Sequence, residues 1–200
     1  MATNLQRIHY SRTVAPTIEP LSLDEALRHL QIGNIGDNDY IQGLIKVARD
    51  VAENATGRAL MSSTWLAVCE DWPSNFRQEL IVAPVNAISH VKYYADGSDT
   101  LTTVSVSNYT FSSAVSPATL TFDDDFAFPS LANRPDAVQI TFTAGATTTA
   151  AVPPALKHAL RILVRHYWDN PEAVANGKTE DLPFGLRHLL ESNRVSGWVV

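Results

Sequence analysis

This chain has little charge, a single cysteine and no long apolar run. Only 18% of its 200 residues are Asp, Glu, Lys or Arg, below the roughly 25% usual in globular domains. Yet 45% are apolar, too many for a chain held open by polarity and self-repulsion. A basic excess is lacking too. The net charge of −6, from 15 bases against 21 acids, argues against a protein that wraps nucleic acid. Cys69 by itself permits no internal disulfide and no multi-cysteine zinc site, as expected in a reducing compartment. No apolar stretch reaches the ~18 residues of a membrane span, and the first residues lack the apolar core of a signal peptide. The composition predicts a soluble, intracellular-type protein with one core or two small lobes.

The motifs that carry catalysis are also missing. There is no G-x-x-x-x-G-K-[ST] phosphate loop, no G-x-G-x-x-G, no H-E-x-x-H, no C-x-x-C and no G-x-S-x-G. Asp123-Asp124-Asp125 offers oxygen ligands for a hard cation, but without the spacing or glycine of a calcium loop it reads first as a solvated turn. His158 and His166 share a helical segment but stand eight apart, too far for an i, i+4 ligand pair. Cys69 alternates within a strand-like run and reads as a small buried hydrophobe. Asp37 and Asp39 resemble an acid pair, but capping of a helix start accounts for both.

What is present organises the chain clearly. Residues 1–20 read as an irregular arm broken by Pro16 and Pro20. Ser22 and Glu25 make an S-x-x-E capping box, after which Leu23, Ala26, Leu27 and Leu30 share one helical face. Gly33 and Gly36 are expected to stop that helix. A second helix from Asp37 aligns Ile41, Leu44, Ile45, Ala48, Ala52 and Ala55, and Gly57 is placed to end it.

The texture then changes. Seven short runs rich in β-branched and aromatic residues follow: 64–70, 79–82, 88–94, 101–106, 109–112, 118–122 and 138–143. Asp96-Gly97 suits a hairpin turn. Helix returns at Pro153-Pro154 and runs over 155–168, with Leu156, Leu160, Leu163, Val164 and Tyr167 on one arc. A last short helix is expected over 183–191, with Leu186, Leu189 and Leu190 inward. The predicted class is α+β: a bundle of about four helices, two N-terminal and two C-terminal, with a small antiparallel β lobe inserted. The expected divisions are an arm (1–20), a helical hairpin (21–58), the β lobe (59–145), C-terminal helices packing on the first pair (152–192) and a tail (193–200).

Two features point to other chains rather than to chemistry. Lys157, Arg161 and Arg165 repeat at i, i+4 and i+8, where like charges repel by about 0.2–0.5 kcal/mol per pair. Only Asp169 and Glu172 follow to soften them. Such a stripe suits an acidic partner surface or a phosphate backbone, or is an ordinary solvated face. The tail ends in Gly197-Trp198-Val199-Val200, apolar where termini are usually polar and frayed. It packs on its own domain or docks on a neighbour. The first 20 residues carry Leu5, Ile8, Tyr10, Val14 and Ile18 and could add to a neighbour's surface in the same way.

The order of motifs resembles a known family. Pro20-Leu-Ser-Leu-Asp-Glu-Ala-Leu-Arg-His-Leu30, Asp39-Tyr-Ile-Gln-Gly-Leu-Ile-Lys-Val-Ala-Arg49, Thr56-Gly-Arg-Ala-Leu60 and Thr64-Trp65 look like the head–tail connector (head completion or adaptor) proteins of tailed bacteriophages. Arg134-Pro-Asp-Ala-Val-Gln-Ile-Thr-Phe-Thr-Ala-Gly145, Val152-Pro-Pro-Ala-Leu-Lys157, His166-Tyr-Trp-Asp-Asn-Pro-Glu-Ala-Val174, Leu182-Pro183 and Arg194 extend the resemblance, which spans about residues 19–195. Between Asp96 and Asp125 no motif corresponds.

The resemblance implies a non-enzymatic virion protein with no cofactor. It implies a homo-oligomeric ring, commonly a dodecamer, beneath the portal at the head–tail neck. Such a ring extends the channel for double-stranded DNA without sequence-specific binding and without contact with a membrane, and presents a surface to the tail or a tail-completion protein. Localisation is then the virion, with the host cytoplasm during assembly. Lys157, Arg161, Arg165, Trp198, Val199 and Val200 are the residues expected at interfaces or facing the channel. The alternatives are a tail-completion or tail-terminator protein capping a tail tube and, remotely, a metal-dependent enzyme using Asp123–Asp125.

Overall fold

A computed structural model describes residues 8–33, 38–171 and 184–198. The chain divides into two compact units, Met1–Pro16 with Ser62–Gly145 and Thr17–Met61 with Ala146–Val200.

The first unit is built from strands. They are β1 (Ile8–Val14), β2 (Ser63–Cys69), β3 (Arg77–Leu80), β4 (Val85–Tyr94), β5 (Leu101–Thr103), β6 (Tyr109–Ser112), β7 (Ala118–Phe122) and β8 (Val138–Ala144). A five-stranded sheet has the order β1-β2-β8-β4-β5, a three-stranded sheet the order β3-β7-β6, and every pairing is antiparallel. Period-2 alternation sets the faces. Along β8, Val138, Ile140, Phe142 and Ala144 are buried while Gln139, Thr141 and Thr143 are half-buried.

Trp72 organises the aromatic part of this core. Its ring lies 5.1–5.9 Å from those of Tyr93, Phe122, Phe126 and Phe128, and its indole N–H donates to the Pro129 carbonyl at 2.9 Å. The edge-to-face pairs with Phe122 and Phe126 add about 0.5–1.5 kcal/mol each beyond buried area. Tyr10 on β1 ties the sheets together: its hydroxyl donates to the Glu79 carbonyl (3.1 Å) and accepts from the Ile81 N–H (3.4 Å). Burial pushes that hydroxyl's pKa well above its ordinary value.

This unit is larger than the small lobe expected. Residues 8–14, expected to be irregular, form β1 and pair with β2 from Ile8↔Cys69 to Val14↔Thr64. Alternation in this segment is weak, and hydrogen bonding to β2 compensates. The protein is thus α+β but richer in sheet than a helical bundle with an inserted lobe. Near the hairpin at Gly97 (φ +71°), the fourth expected strand ends early. Ser105 caps a 3-10 turn at Val106–Asn108 by accepting from the Ser107 N–H.

The second unit holds the helices: α1 (Leu23–Leu30), α2 (Asn38–Thr56), α3 (Pro154–Asp169) and α4 (Phe184–Glu191). The capping box on α1 is complete, with the Glu25 N–H donating to Ser22 Oγ (3.2 Å) and the Ser22 N–H to Glu25 Oε2 (3.0 Å). The stop of α1 differs from expectation. Gln31 takes the left-handed position (φ +59°), and its N–H and that of Ile32 close on the Arg28 and Leu27 carbonyls. A non-glycine residue there costs about 1–2 kcal/mol, offset by those bonds and by Ile32 packing against the core. Gly36 and Asp37 lie outside the described residues.

One core joins these helices: Ala26 and Leu30 of α1, Ile41, Leu44, Ile45, Ala48 and Ala52 of α2, Leu156, Leu160, Leu163 and Val164 of α3, and Leu186 and Leu190 of α4. Leu23, Leu27, Ala55, Tyr167 and Leu189 of the expected arcs are only partly buried at its margin. Each fully buried aliphatic side chain is worth about 1.5–3 kcal/mol.

Candidate functional site

The basic stripe lies on α3, where it meets α1. Lys157 Nζ stands 3.8 Å and Arg161 Nη2 3.3 Å from the same oxygen, Glu25 Oε1. Arg165 donates from Nε to Asp169 at 2.6 Å and from Nη1 to the Leu30 carbonyl at 3.3 Å. Glu25 is therefore both the capping partner of Ser22 and the counter-charge of the stripe. Its carboxyl is held below the usual range, chiefly by the Ser22 N–H and further by the Lys157 and Arg161 charges.

Asp169, which follows the stripe in sequence, meets only Arg165. The acid that matters comes from another helix, and the three cations are compensated rather than bare. Attraction to Glu25 and Asp169 offsets the few tenths of a kcal/mol of repulsion along α3.

Beside Glu25, the side chains of Arg28, His29 and Arg161 line a shallow open depression of about 340 Å³. The His29 imidazole pKa is lowered by burial and then by Arg161, His158 and Arg165. Arg28 forms its own exposed pair with Asp24 at 3.0 Å. This arrangement offers cationic donors but no activated nucleophile.

The other candidates separate cleanly. Asp123–Asp125 form an exposed turn after β7, closed by the Phe126 N–H on the Asp123 carbonyl (2.9 Å). Among the described residues no three His, Cys, Asp or Glu side chains come together as a metal site. Cys69 is buried on β2 and its thiol is pushed up to about 12 by burial alone, which removes the reactive thiolate at neutral pH. His158 is exposed on α3, and His166 lies near its end, where its backbone carbonyl accepts from Asn170. No helix among the described residues is long and apolar enough to cross a membrane.

The tail packs on its own unit, at the end of α2. The Val195 N–H donates to the Thr56 carbonyl (2.8 Å), Arg58 Nε to the Asn193 carbonyl (2.6 Å), and Trp198 Nε1 to the Asn54 carbonyl (2.7 Å). Gly57, at φ +69°, leaves room for the Trp198 ring. The Leu60 N–H donates to Glu53 Oε1 at 2.7 Å. Thr56-Gly-Arg-Ala-Leu60 is thus a docking corner for the chain's end. Val199 and Val200 lie outside the described residues.

A buried ion cluster, outside the residues expected from the sequence, sits on the same helix. Arg49, buried, reaches Glu19 (2.5 Å), Asp50 (3.1 Å) and Glu53 (3.8 Å). It fixes residue 19 against α2. The signal was available in principle, since Arg49 and Glu53 are an i, i+4 pair facing the core side, but the partner Glu19 is thirty residues away. In the first unit Arg134 grips Asp136 through two bonds of 2.6 and 3.0 Å and lies 3.6 Å above the Tyr94 ring. That geometry accounts for the Arg-Pro-Asp motif before β8.

No family model and no curated protein matches this sequence. Solved structures do match. A chain of the neck of an empty gene transfer agent (GTA) particle, computed with C6 symmetry, superposes with a TM-score of 0.76 at 22% identity over 94% of this chain and 95% of that one. A chain from the virion of the native particle gives 0.72 at 20% identity, covering 93% and 95%. A chain of the native neck computed with C12 symmetry gives 0.69 at 21% identity, covering 94% and 95%. At such identity the likeness establishes a shared fold.

Proposed function

We propose that this chain is a structural, non-enzymatic subunit of the neck of a tailed, phage-like particle. In this reading copies assemble into a cyclic ring beneath the portal, commonly twelve-fold. The ring continues the DNA channel and gives the tail its attachment surface. The observation that carries the reading is the likeness of fold to neck chains over 94% of this chain and 95% of each of those. The family resemblance of the motifs from residue 19 to 195 points the same way.

Charge supports it. A conduit must let DNA slide, and each phosphate contact adds affinity and salt-dependent grip. A chain of net charge −6 with a compensated cationic stripe does not grip. Lys157, Arg161 and Arg165 are assigned to a subunit contact or the channel wall, and the Trp198 tail to assembly.

Electron microscopy of the purified protein with its portal tests the whole reading. A ring beneath the portal is expected. Capture by a tail tube in preference to the portal would replace it with the tail-completion reading, and absence of any ring with either partner would overturn both.

A further inference from the structure

The depression beside Glu25 has walls from two helices, with Glu25, Arg28 and His29 on α1 and Arg161 on α3. Each cation around it has an acid in reach, yet Glu25 answers two of them with one charge. Its Oε1 stands 3.8 Å from Lys157 and 3.3 Å from Arg161, both beyond the about 2.7–2.9 Å of a charge-assisted bond. Arg28 pairs with Asp24 at 3.0 Å, and both side chains are largely exposed, so that bond costs little to exchange. Among the described residues, three cations (Lys157, Arg161, Arg28) thus face two acids (Glu25, Asp24) here.

His29 feels the excess. Its half-buried imidazole has Glu25 and Arg28 beside it on α1. Arg161, His158 and Arg165 of α3 add to burial in disfavouring its proton. Negative charge placed in the depression would take up the loose donors and let His29 protonate.

We infer that the depression between α1 and α3 binds a phosphate group, held by Arg28, Arg161 and His29. Donors stand on both walls, and a tetrahedral group offers oxygens to both. A planar carboxylate instead meets one guanidinium fork. The open space of about 340 Å³ admits the group from solvent or along a polymer backbone, and the Glu25 carboxylate on the wall keeps the affinity low. Two sources share this chemistry, free phosphate and the backbone of passing DNA, and the second rests on the neck reading above. One weak site on each copy touches a backbone without gripping it.

The test titrates the full chain with inorganic phosphate at constant ionic strength and follows the histidine resonances by NMR. The His29 signal, identified with His29→Gln, should move saturably. Its titration should also shift to higher pH, because binding and protonation favour each other reciprocally. Arg28→Gln and Arg161→Lys should each weaken binding about fivefold with unchanged circular dichroism. Arg161→Lys keeps a charge beside Glu25; should it still lose the fold, the exposed Arg28→Gln decides alone. Shifts that never saturate, or equal affinity in wild type and variants, overturn the site. So does an oligo-aspartate peptide that binds more tightly than phosphate and duplex, since the depression would then take a carboxylate. A short DNA duplex separates the sources. Saturation at a lower concentration of phosphate groups than the free ion needs supports the site and assigns it to the backbone; a response to the free ion alone supports it and assigns it to soluble phosphate. None of these readouts needs a ring, so failure of the site leaves the neck reading standing, and failure of the ring leaves the site.

Discussion

The indole of Trp198 occupies the place where a β-carbon on Gly57 would stand. A β-carbon on residue 57 would stand 2.5 Å from Trp198 Cγ, and the backbone there is left-handed at φ +69°. One glycine thus serves both the end of α2 and the docking of the chain's last described residue.

Gly57→Ala is expected to undock the tail. The new methyl group meets the ring and adds left-handed strain of about 1–2 kcal/mol. Hydrogen exchange at residues 193–198 should rise sharply, and the melting temperature should fall by about 2–8 °C. Unchanged exchange would show that the ring is not held there.

Glu25→Gln separates capping from counter-charge. Glutamine still closes the capping box, but Lys157 and Arg161 lose their anion. At neutral pH a loss of up to about 1 kcal/mol is expected, because the group is partly exposed and screened. The sign with pH follows from the lowered carboxyl. Its stabilisation is full above the ordinary carboxylate range and is lost as pH falls through the depressed value. Urea titrations from neutral pH to about pH 3 should therefore converge for wild type and variant as acid is added.

Arg161→Glu places a carboxylate beside Glu25, 3.3 Å from where the guanidinium now sits. It should destabilise the α1–α3 contact more than Arg161→Gln does. If the stripe faces a neighbour or the channel, Arg161→Gln should still alter ring assembly or DNA retention while the subunit remains folded. Normal particles from Arg161→Gln would remove it from both roles.

Arg49→Ala should be the most damaging single change. It leaves the buried Glu53 and the largely buried Glu19 without their shared cation, a loss of about 3–5 kcal/mol. Adding Glu19→Gln and Glu53→Gln should restore part of the stability by removing the orphaned charges. A triple variant no more stable than Arg49→Ala in urea would show that shape, not charge, holds the cluster.

Deletion of 195–200 removes buried Val195 and the bonds to Thr56 and Asn54. A lower melting temperature is expected for the isolated subunit, and reduced particle yield if the tail also serves assembly. Normal yield from a destabilised subunit would confine the tail to its own unit.

Local chemistry made much of this protein legible in advance. The S-x-x-E box, the helical arcs on α2 and α3, the Asp96-Gly97 turn and the buried thiol of Cys69 depend on neighbours within one or two turns of chain, so spacing alone reveals them. Strand β1 was not legible, since weakly alternating residues become a strand only when β2 offers its edge.

The same limit applied to the charges. Lys157, Arg161 and Arg165 looked unpartnered because periodicity along α3 says nothing of Glu25 across the gap, and Arg49 gave no sign of Glu19. By itself the sequence determined which segments would be helix and most of those that would be strand, and that the surface would carry little charge. Only the tertiary structure decided which charges meet, where the tail docks and which strands lie at the edges of the sheets. The reason is physical. Propensity and periodicity act over a few residues, whereas ion pairs and edge pairing depend on distances that only the folded chain sets.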